Sequence, residues 1–455
     1  MTKPYVTNCL TPVKNDQKTN LEKMKQVKTN VSTLAKSNPS DHIELARELL
    51  ADALRREASM SSQKIVEPFP EELVTDSLKW SESERQRHFE NGLSLIAQGK
   101  VAVVTLAGGQ GTRLGSSHPK GCFDIGLKSN KNLFDLQAGR IQRLEELARK
   151  TFQCKSQNAD TPLIKWAVMT SPATHQETEI IVSPDGNGGV FQALKHSKIL
   201  EAWRDAGILH VHVYCVDNVL TRVADPYFIS VCAQANTPCG IKVVEKINPS
   251  ERVGVLALGA RESPPTSSAL NLGIQMVEYS ELSPKLASLT KERGSSLVYR
   301  FANIASHYFS LDFLEMAATR LDNSSKATQA TILPAHIARK HIRVYPDATV
   351  SGLKLERFIF DILHLLPSPK DLAVMLVSRK EEFSPLKNAS VPGKKEEGTP
   401  ESCRDALYEQ FQRLFDKANL SPVVSNEVVE IEPYKWYFGE PISDLDVLRD
   451  ILAKK

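Results

Sequence analysis

No run of apolar residues in the 455-residue chain is long enough for a bilayer span. Its opening residues, MTKPYVTNCLTPVKNDQ, lack the apolar core of a secretory leader. An embedded or exported protein is therefore not expected. Neither sign of charge dominates: Lys+Arg 57 against Asp+Glu 54 gives a formal +3, too balanced for a nucleic-acid surface or a polybasic membrane patch. The seven cysteines are odd in number and form no CxxC pair, which argues against a disulfide framework and against a zinc cluster. Cys215 and Cys232 lie in apolar surroundings and read as small core residues. The eleven histidines also lack ligand spacing; His210 and His212 alternate with valines and share one face of a strand. No internal repeat is present. A cytoplasmic protein of enzyme size remains, 41% hydrophobic and 24% charged, with room for two or three domains.

Residues 1–39 are polar and Lys-rich. Asp41-His42-Ile43-Glu44 resembles a capping box and precedes Leu45, Leu49, Leu50, Ala53 and Leu54 at helical spacing. Ser81-Glu82-Ser83-Glu84 predicts a second, clearer start, for a helix carrying Phe89, Leu93, Leu95 and Ile96 and closed by Gly99. Residues 1–98 are thus expected to form a helical N-terminal region. From Val101 the texture changes. Val101–Leu106 is a continuous apolar run of the kind buried on both faces of a parallel sheet, and similar runs recur at Leu163–Met169, Leu209–Val216 and Cys239–Val244. Helical segments at Leu133–Lys150 and Phe191–Ala206 alternate with them. This predicts an α/β, doubly wound, Rossmann-like domain over residues 99–392, with ligands at the carboxyl ends of its strands. Beyond the linker-like Ala389–Pro400, a helix at Arg404–Ala418 and short β-prone stretches at Val423–Tyr437 predict a small C-terminal domain, residues 393–455.

The most informative stretch directly follows the first strand: Leu106-Ala107-Gly108-Gly109-Gln110-Gly111-Thr112-Arg113-Leu114-Gly115, then Pro119-Lys120-Gly121. Adjacent glycines let the backbone bend sharply and bring N–H groups against a ligand, and Arg113 and Lys120 add two cations beside that concavity. A triphosphate suits such a site. It is not a dinucleotide fingerprint, because Leu114 stands where G-x-G-x-x-G needs glycine. Nor is it a Walker A loop, since Lys120-Gly121 has the wrong order for G-K-[ST].

These residues resemble the signature of the eukaryotic UDP-sugar pyrophosphorylases, specifically the UDP-N-acetylhexosamine pyrophosphorylase group. Further motifs agree in the same order: Pro184-Asp185-Gly186-Asn187-Gly188-Gly189, His212–Asn218, Val243–Lys246, Val277–Glu281, Gly352–Glu356 and Phe383–Asn388. The resemblance covers about residues 40–390. It implies a nucleotidyltransferase that joins UTP and N-acetylglucosamine 1-phosphate into UDP-N-acetylglucosamine and pyrophosphate with Mg²⁺, as a monomer or homodimer. A sugar phosphate is already nucleophilic at neutral pH, so alignment and charge neutralisation are what the protein must supply.

Carried over residue by residue, the resemblance implies that the Leu106, Ala107, Gly108 and Gly109 backbone reads uracil and that Arg113 and Lys120 meet the phosphates, Lys120 as the transition-state cation. Gly186 borders the uridine. Asp217 is the implied partner of Mg²⁺ or ribose. Asn187, Glu278, Tyr279 and Asn303 are assigned to the sugar, and Lys354 and Lys387 to phosphates from the far wall. Glu245 and Glu281 carry no assignment.

The chain also departs from the pattern. Only twelve residues separate Ser171 from Pro184, where relatives carry roughly forty more. An internal loss near residues 178–183 is implied, together with an open sheet edge or a gap beside the uridine pocket. Phe301-Ala302-Asn303-Ile304 has alanine where the family has glycine, and Ser263–Ser268 resembles an inserted loop. Two alternatives to the active N-acetylhexosamine enzyme therefore stand: a nucleotide-binding but catalytically impaired isoform, and a related UDP-hexose pyrophosphorylase.

Overall fold

The computed structural model describes residues 5–7, 50–51, 53–54, 66–109, 111–116, 118–153, 161–171, 186–260, 272–291, 296–344, 348–420, 423–424, 427–442 and 445–453. The helix start at Asp41, Gln110, Ser117, the junction at 178–183, Pro184-Asp185 and the Ser263–Ser268 loop lie outside them.

The main strands and helices are, in chain order, β1 (Tyr5–Thr7), β2 (Val66–Pro68), β3 (Val74–Asp76), α1 (Glu82–Ala97), β4 (Val101–Leu106), α2 (Leu133–Phe152), β5 (Ile164–Thr170), α3 (Val190–His196), α4 (Ile199–Asp205), β6 (His210–Cys215), α5 (Pro226–Ala235), β7 (Cys239–Glu245), β8 (Val255–Ala260), β9 (Leu272–Val277), β10 (Phe301–Ser310), α6 (Leu311–Asn323), β11 (Ala335–Val344), β12 (Ala348–Arg357), β13 (Leu372–Leu376), α7 (Pro400–Lys417) and α8 (Leu445–Ala453).

The central sheet runs β1-β5-β4-β6-β10-β7-β13-β3. Its β5-β4-β6 and β7-β13-β3 blocks are parallel, and β10 lies antiparallel between them. A side branch of β8, β9 and β2 joins β10 through Val255 and Ala302.

Strand β4 shows why its sequence is apolar throughout. Ala102, Val104 and Leu106 enter one core with Phe191, Leu194, Trp203 and Leu314, while Val101 and Val103 enter another with Phe89, Ile96, Leu144 and Phe228. Alternating side chains of a strand covered on both faces must satisfy two apolar layers.

Ser81 caps α1 as its sequence predicts. Its hydroxyl accepts the Glu84 N–H at 3.3 Å, the Glu84 carboxylate accepts the Ser81 N–H at 2.7 Å, and Gly99 adopts φ +69° beyond the end. Gly92 allows α1 to lie against α5, since a Cβ there would fall 2.0 Å from the Pro226 carbonyl oxygen. The expectation of a purely helical N-terminal region is corrected, because β2 and β3 join the central sheet. Their Val and Thr residues suit an edge position, and Pro68 and Pro70 oppose a helix. The single helix expected over Phe191–Ala206 is two, broken at Lys198 with φ +59°. The outer edge of β5, next to the short junction, is paired antiparallel with β1, Tyr5 opposite Thr170.

C-terminal residues buttress the glycine-rich loop. Cys403, Leu407, Phe411 and Phe415 of α7 share one core with Leu114, Ile125, Leu136, Val216 and Trp436. Helix α2 is also tied to the C-terminal segment, by Arg143, which donates to both Glu440 carboxylate oxygens at 3.0 and 2.7 Å.

Candidate active site

The glycine-rich loop leaves β4 at the carboxyl edge of the sheet. Ala107 N–H donates to the Met169 carbonyl and Ser171 Oγ to the Gly108 carbonyl, both at 2.8 Å, so β5 holds the loop's first turn. Further on, the Gly111 carbonyl accepts the N–H groups of Leu114 and Ser116, and the Lys120 N–H donates to the Gly109 carbonyl at 3.3 Å. The loop thus closes on itself. Among the described residues no atom lies within 4 Å of where a Gly109 Cβ would project. Arg113 sits on the short helical turn Thr112–Leu114, exposed, its guanidinium without a hydrogen bond or ion pair among the described residues.

Asp217 follows β6, and Asn218 fixes its neighbourhood. Asn218 Nδ2 donates to the Glu382 carbonyl at 2.7 Å, and its Oδ1 accepts the Ser384 N–H at 2.9 Å. The Leu386 N–H donates to the Asp217 carbonyl at 2.8 Å. The strand-end Asp-Asn pair therefore docks the 382–386 segment. Lys120 Nζ donates to Asp217 Oδ2 at 3.1 Å and to the Leu386 carbonyl at 2.9 Å. One of its three N–H donors is left without a partner among the described residues. Ala389 N–H donates to the Arg113 carbonyl, so residues 386–389 run beside the loop and carry exposed Lys387 with them.

Behind this surface lies a charge network in which Lys242, Asp225 and Glu382 are buried and Arg222 is partly so. Lys242 donates to Asp225 and, at 2.5 Å, to Glu382, and Arg222 pairs with Glu382 at 3.1 Å. Glu382 thus anchors the segment that presents Leu386 and Lys387.

A second group of assigned residues lies around β10, the end of β12 and the turn after β9. Gly186, at φ +83°, lies so near Arg357 that a Cβ would fall 2.3 Å from its carbonyl oxygen. Asn187 Oδ1 accepts the Ile359 N–H at 2.8 Å. Asn303 Oδ1 accepts the Ala305 N–H at 2.8 Å, at a register shift of β10 where Ala305 takes φ +54°. Both amides fix their oxygens on the backbone, and neither NH₂ has a partner among the described residues. Burial, followed by the charge of Glu281, raises the Glu278 carboxyl to about pH 7, while His336 and Lys387 pull it down. Lys387 thus lies within electrostatic reach of Glu278. Tyr279 is 49% exposed. Lys354 lies on β12 opposite Ala338, and its side chain is outside the described residues.

The residues that sequence reasoning missed are His336 and Asp361. His336 Nδ1 lies 3.3 Å from Glu281 and its Nε2 3.0 Å from Asp361. Burial alone would lower its pKa, but the hydrogen bonds to Asp361 and Glu281 outweigh this and raise it to about 10. The three residues are far apart in sequence, and no spacing announces them. His210 and His212 instead bond Tyr308 and Ser306 across β10, as packing residues. Among the described residues no cluster of three His, Cys, Asp or Glu side chains is arranged to hold a metal.

The fold is that of a doubly wound α/β protein, with a glycine-rich loop after β4 and exposed Arg113 and Lys387 beside it. Residues 43–183 and 181–391 match the UTP–glucose-1-phosphate uridylyltransferase family, and the chain belongs to that family. One relative is named UDP-N-acetylglucosamine diphosphorylase 2, from Arabidopsis thaliana; it is 37% identical over 379 residues, covering 74% of this chain and 70% of that protein. Another is UDP-N-acetylhexosamine pyrophosphorylase-like protein 1 of Xenopus tropicalis, 33% identical over 471 aligned positions, 90% of this chain and 86% of that one. This alignment is longer than the chain's 455 residues, so the relative carries residues without counterparts here. The family match itself breaks at 181–183, within the short junction. The crystal structure of the uridine diphosphate N-acetylglucosamine pyrophosphorylase from Trypanosoma brucei, solved with an inhibitor, has the same fold, with TM-score 0.67 over 92% of both chains at 24% identity.

Proposed function

We propose that the chain transfers a uridylyl group from UTP to N-acetylglucosamine 1-phosphate, releasing pyrophosphate. The observation that carries this reading is the meeting of Lys120, Asp217 and the Leu386 carbonyl beside the glycine-rich loop, with the exposed charges of Arg113 and Lys387, unpaired among the described residues, available to phosphate oxygens. A phosphate oxygen of the sugar ester attacks the α-phosphorus, the bond from that phosphorus to the α,β-bridging oxygen breaks, and pyrophosphate leaves with the electron pair. No protein nucleophile is needed. The Leu106–Gly109 backbone and Gly186 border the uridine. Lys120 turns its spare donor to the α-phosphate, where negative charge grows in the transition state. Arg113, Lys354 and Lys387 hold the other phosphate oxygens.

Asn187 and Asn303 offer NH₂ groups to the sugar, beside Glu278 and Tyr279. Asp217 suits Mg²⁺: it is one part-exposed carboxylate whose Oδ1 has no partner among the described residues, enough when substrate phosphates and water complete the shell. Bound there, the ion would supply neutralisation of phosphate charge. A cytoplasmic location and a monomeric or homodimeric state belong to the same reading. No helix among the described residues is long and apolar enough to cross a membrane.

Pyrophosphate release from UTP with N-acetylglucosamine 1-phosphate tests the reading, with glucose 1-phosphate as comparison. Turnover of the acetylated sugar supports it, and preference for glucose 1-phosphate replaces the substrate. The break in the family match at 181–183 favours a second reading, an impaired nucleotide binder, which UTP binding without turnover would establish.

A further inference from the structure

We propose that His336 is a positioning residue for sugar recognition, clamping the turn that carries Glu278 to the wall that carries Gly186 and Asn187. This rests on the assignment of those residues to the sugar and uridine sides of the site. Both ring nitrogens of His336 face carboxylate oxygens, at 3.3 Å from Glu281 and 3.0 Å from Asp361. Carboxylates only accept, so each nitrogen carries its proton and the ring is an imidazolium bridging two elements.

Each carboxylate is also tied to the backbone it must hold. Glu281 Oε2 accepts the Glu278 N–H at 3.2 Å, and the Glu281 and Leu282 N–H groups return to the Glu278 carbonyl. The turn is therefore closed around Glu281, and His336 fixes where it sits. On the other side, Asp361 accepts the Phe358 N–H at 3.3 Å, and the adjoining Ile359 N–H donates to Asn187 Oδ1. The His336 ring packs on Phe358 with centroids 4.9 Å apart, which limits its rotation. A continuous chain of bonds thus runs from Glu278 through His336 to Asn187. Removing the imidazolium should loosen the sugar side while leaving the Lys120–Asp217 side as it is.

The test is calorimetric binding of UDP and of UDP-N-acetylglucosamine to the full chain, the His336→Gln variant and the Glu281→Gln variant. The expected result is a roughly tenfold loss of affinity for the sugar nucleotide in each variant, the scale of one lost charged hydrogen bond, with the Kd for UDP unchanged. The double variant should lose no more than the singles, because both break one link. Equal weakening of both ligands, or sugar-nucleotide affinity unaltered in folded variants, would overturn the proposal. Because binding is read rather than turnover, a wild-type chain that binds both ligands without turnover removes the proposed activity and leaves the clamp intact. Failure to bind either ligand removes both.

Discussion

Replacing Lys120 with alanine should lower kcat for pyrophosphate release by about 10²–10³, the usual loss when one preorganised group facing transition-state charge is deleted. The ammonium bonds Asp217 at 3.1 Å and the Leu386 carbonyl at 2.9 Å, and the paired side chains keep 18% and 22% exposure. Water reaches both partners, so the lost pair should cost the fold only about 1 kcal/mol. The barrier increase is larger, about 3–4 kcal/mol. Stability and catalysis therefore separate in one experiment. Initial rates are measured with saturating sugar phosphate and varied UTP, well below the thermal midpoint of each sample. The KM for UTP should move by less than about fivefold, since the lost contact is made mainly in the transition state. Lys120→Arg, which keeps the charge but presents a planar fork, should recover only part of the rate. An unchanged kcat with a raised KM would instead make Lys120 a ground-state phosphate holder and exclude the transition-state role.

Other perturbations test neighbouring parts of the structure. Gly186→Ala places a Cβ 2.3 Å from the Arg357 carbonyl oxygen at φ +83°, and should cost about 2 kcal/mol or more together with nucleotide affinity; an unaltered melting temperature would contradict the close approach. Lys242→Met strands Asp225 and Glu382, both buried, with only Arg222 to balance them. Urea unfolding should register a loss of about 3–5 kcal/mol, and wild-type stability would dismiss the network as an anchor. Glu278 has its folded pKa raised from 4.5 to about 7, so the native state holds a proton that the unfolded chain releases. Its stabilisation is complete below pH 4.5 and is lost as pH rises through about 7, in total about 3 kcal/mol at 1.36 kcal/mol per unit. Glu278→Gln should flatten that part of the pH–stability curve, and identical curves would exclude Glu278, in its setting of Glu281, Asp361, His336 and Lys387, as the titrating group.

Local patterns determined much of this protein. The S-x-x-E cap and Gly99 bound α1, and four apolar runs each became a strand, because capping and two-sided burial constrain adjacent residues directly. The glycine-rich loop was legible for the same reason: its conformation depends on missing side chains within one short segment. The candidate site residues were named from the sequence by resemblance. Tertiary structure alone decided which of them share a bond. Lys120 meets Asp217 from 97 residues away and Leu386 from 266 residues away, after Asn218 has docked the 382–386 segment. The antiparallel entry of β10 and the recruitment of β2 and β3 depended on partner edges absent from their own sequence. His336 is the clearest case. A lone histidine becomes a doubly bonded imidazolium only when folding brings Glu281 and Asp361 to opposite sides of its ring, and no local periodicity encodes that encounter.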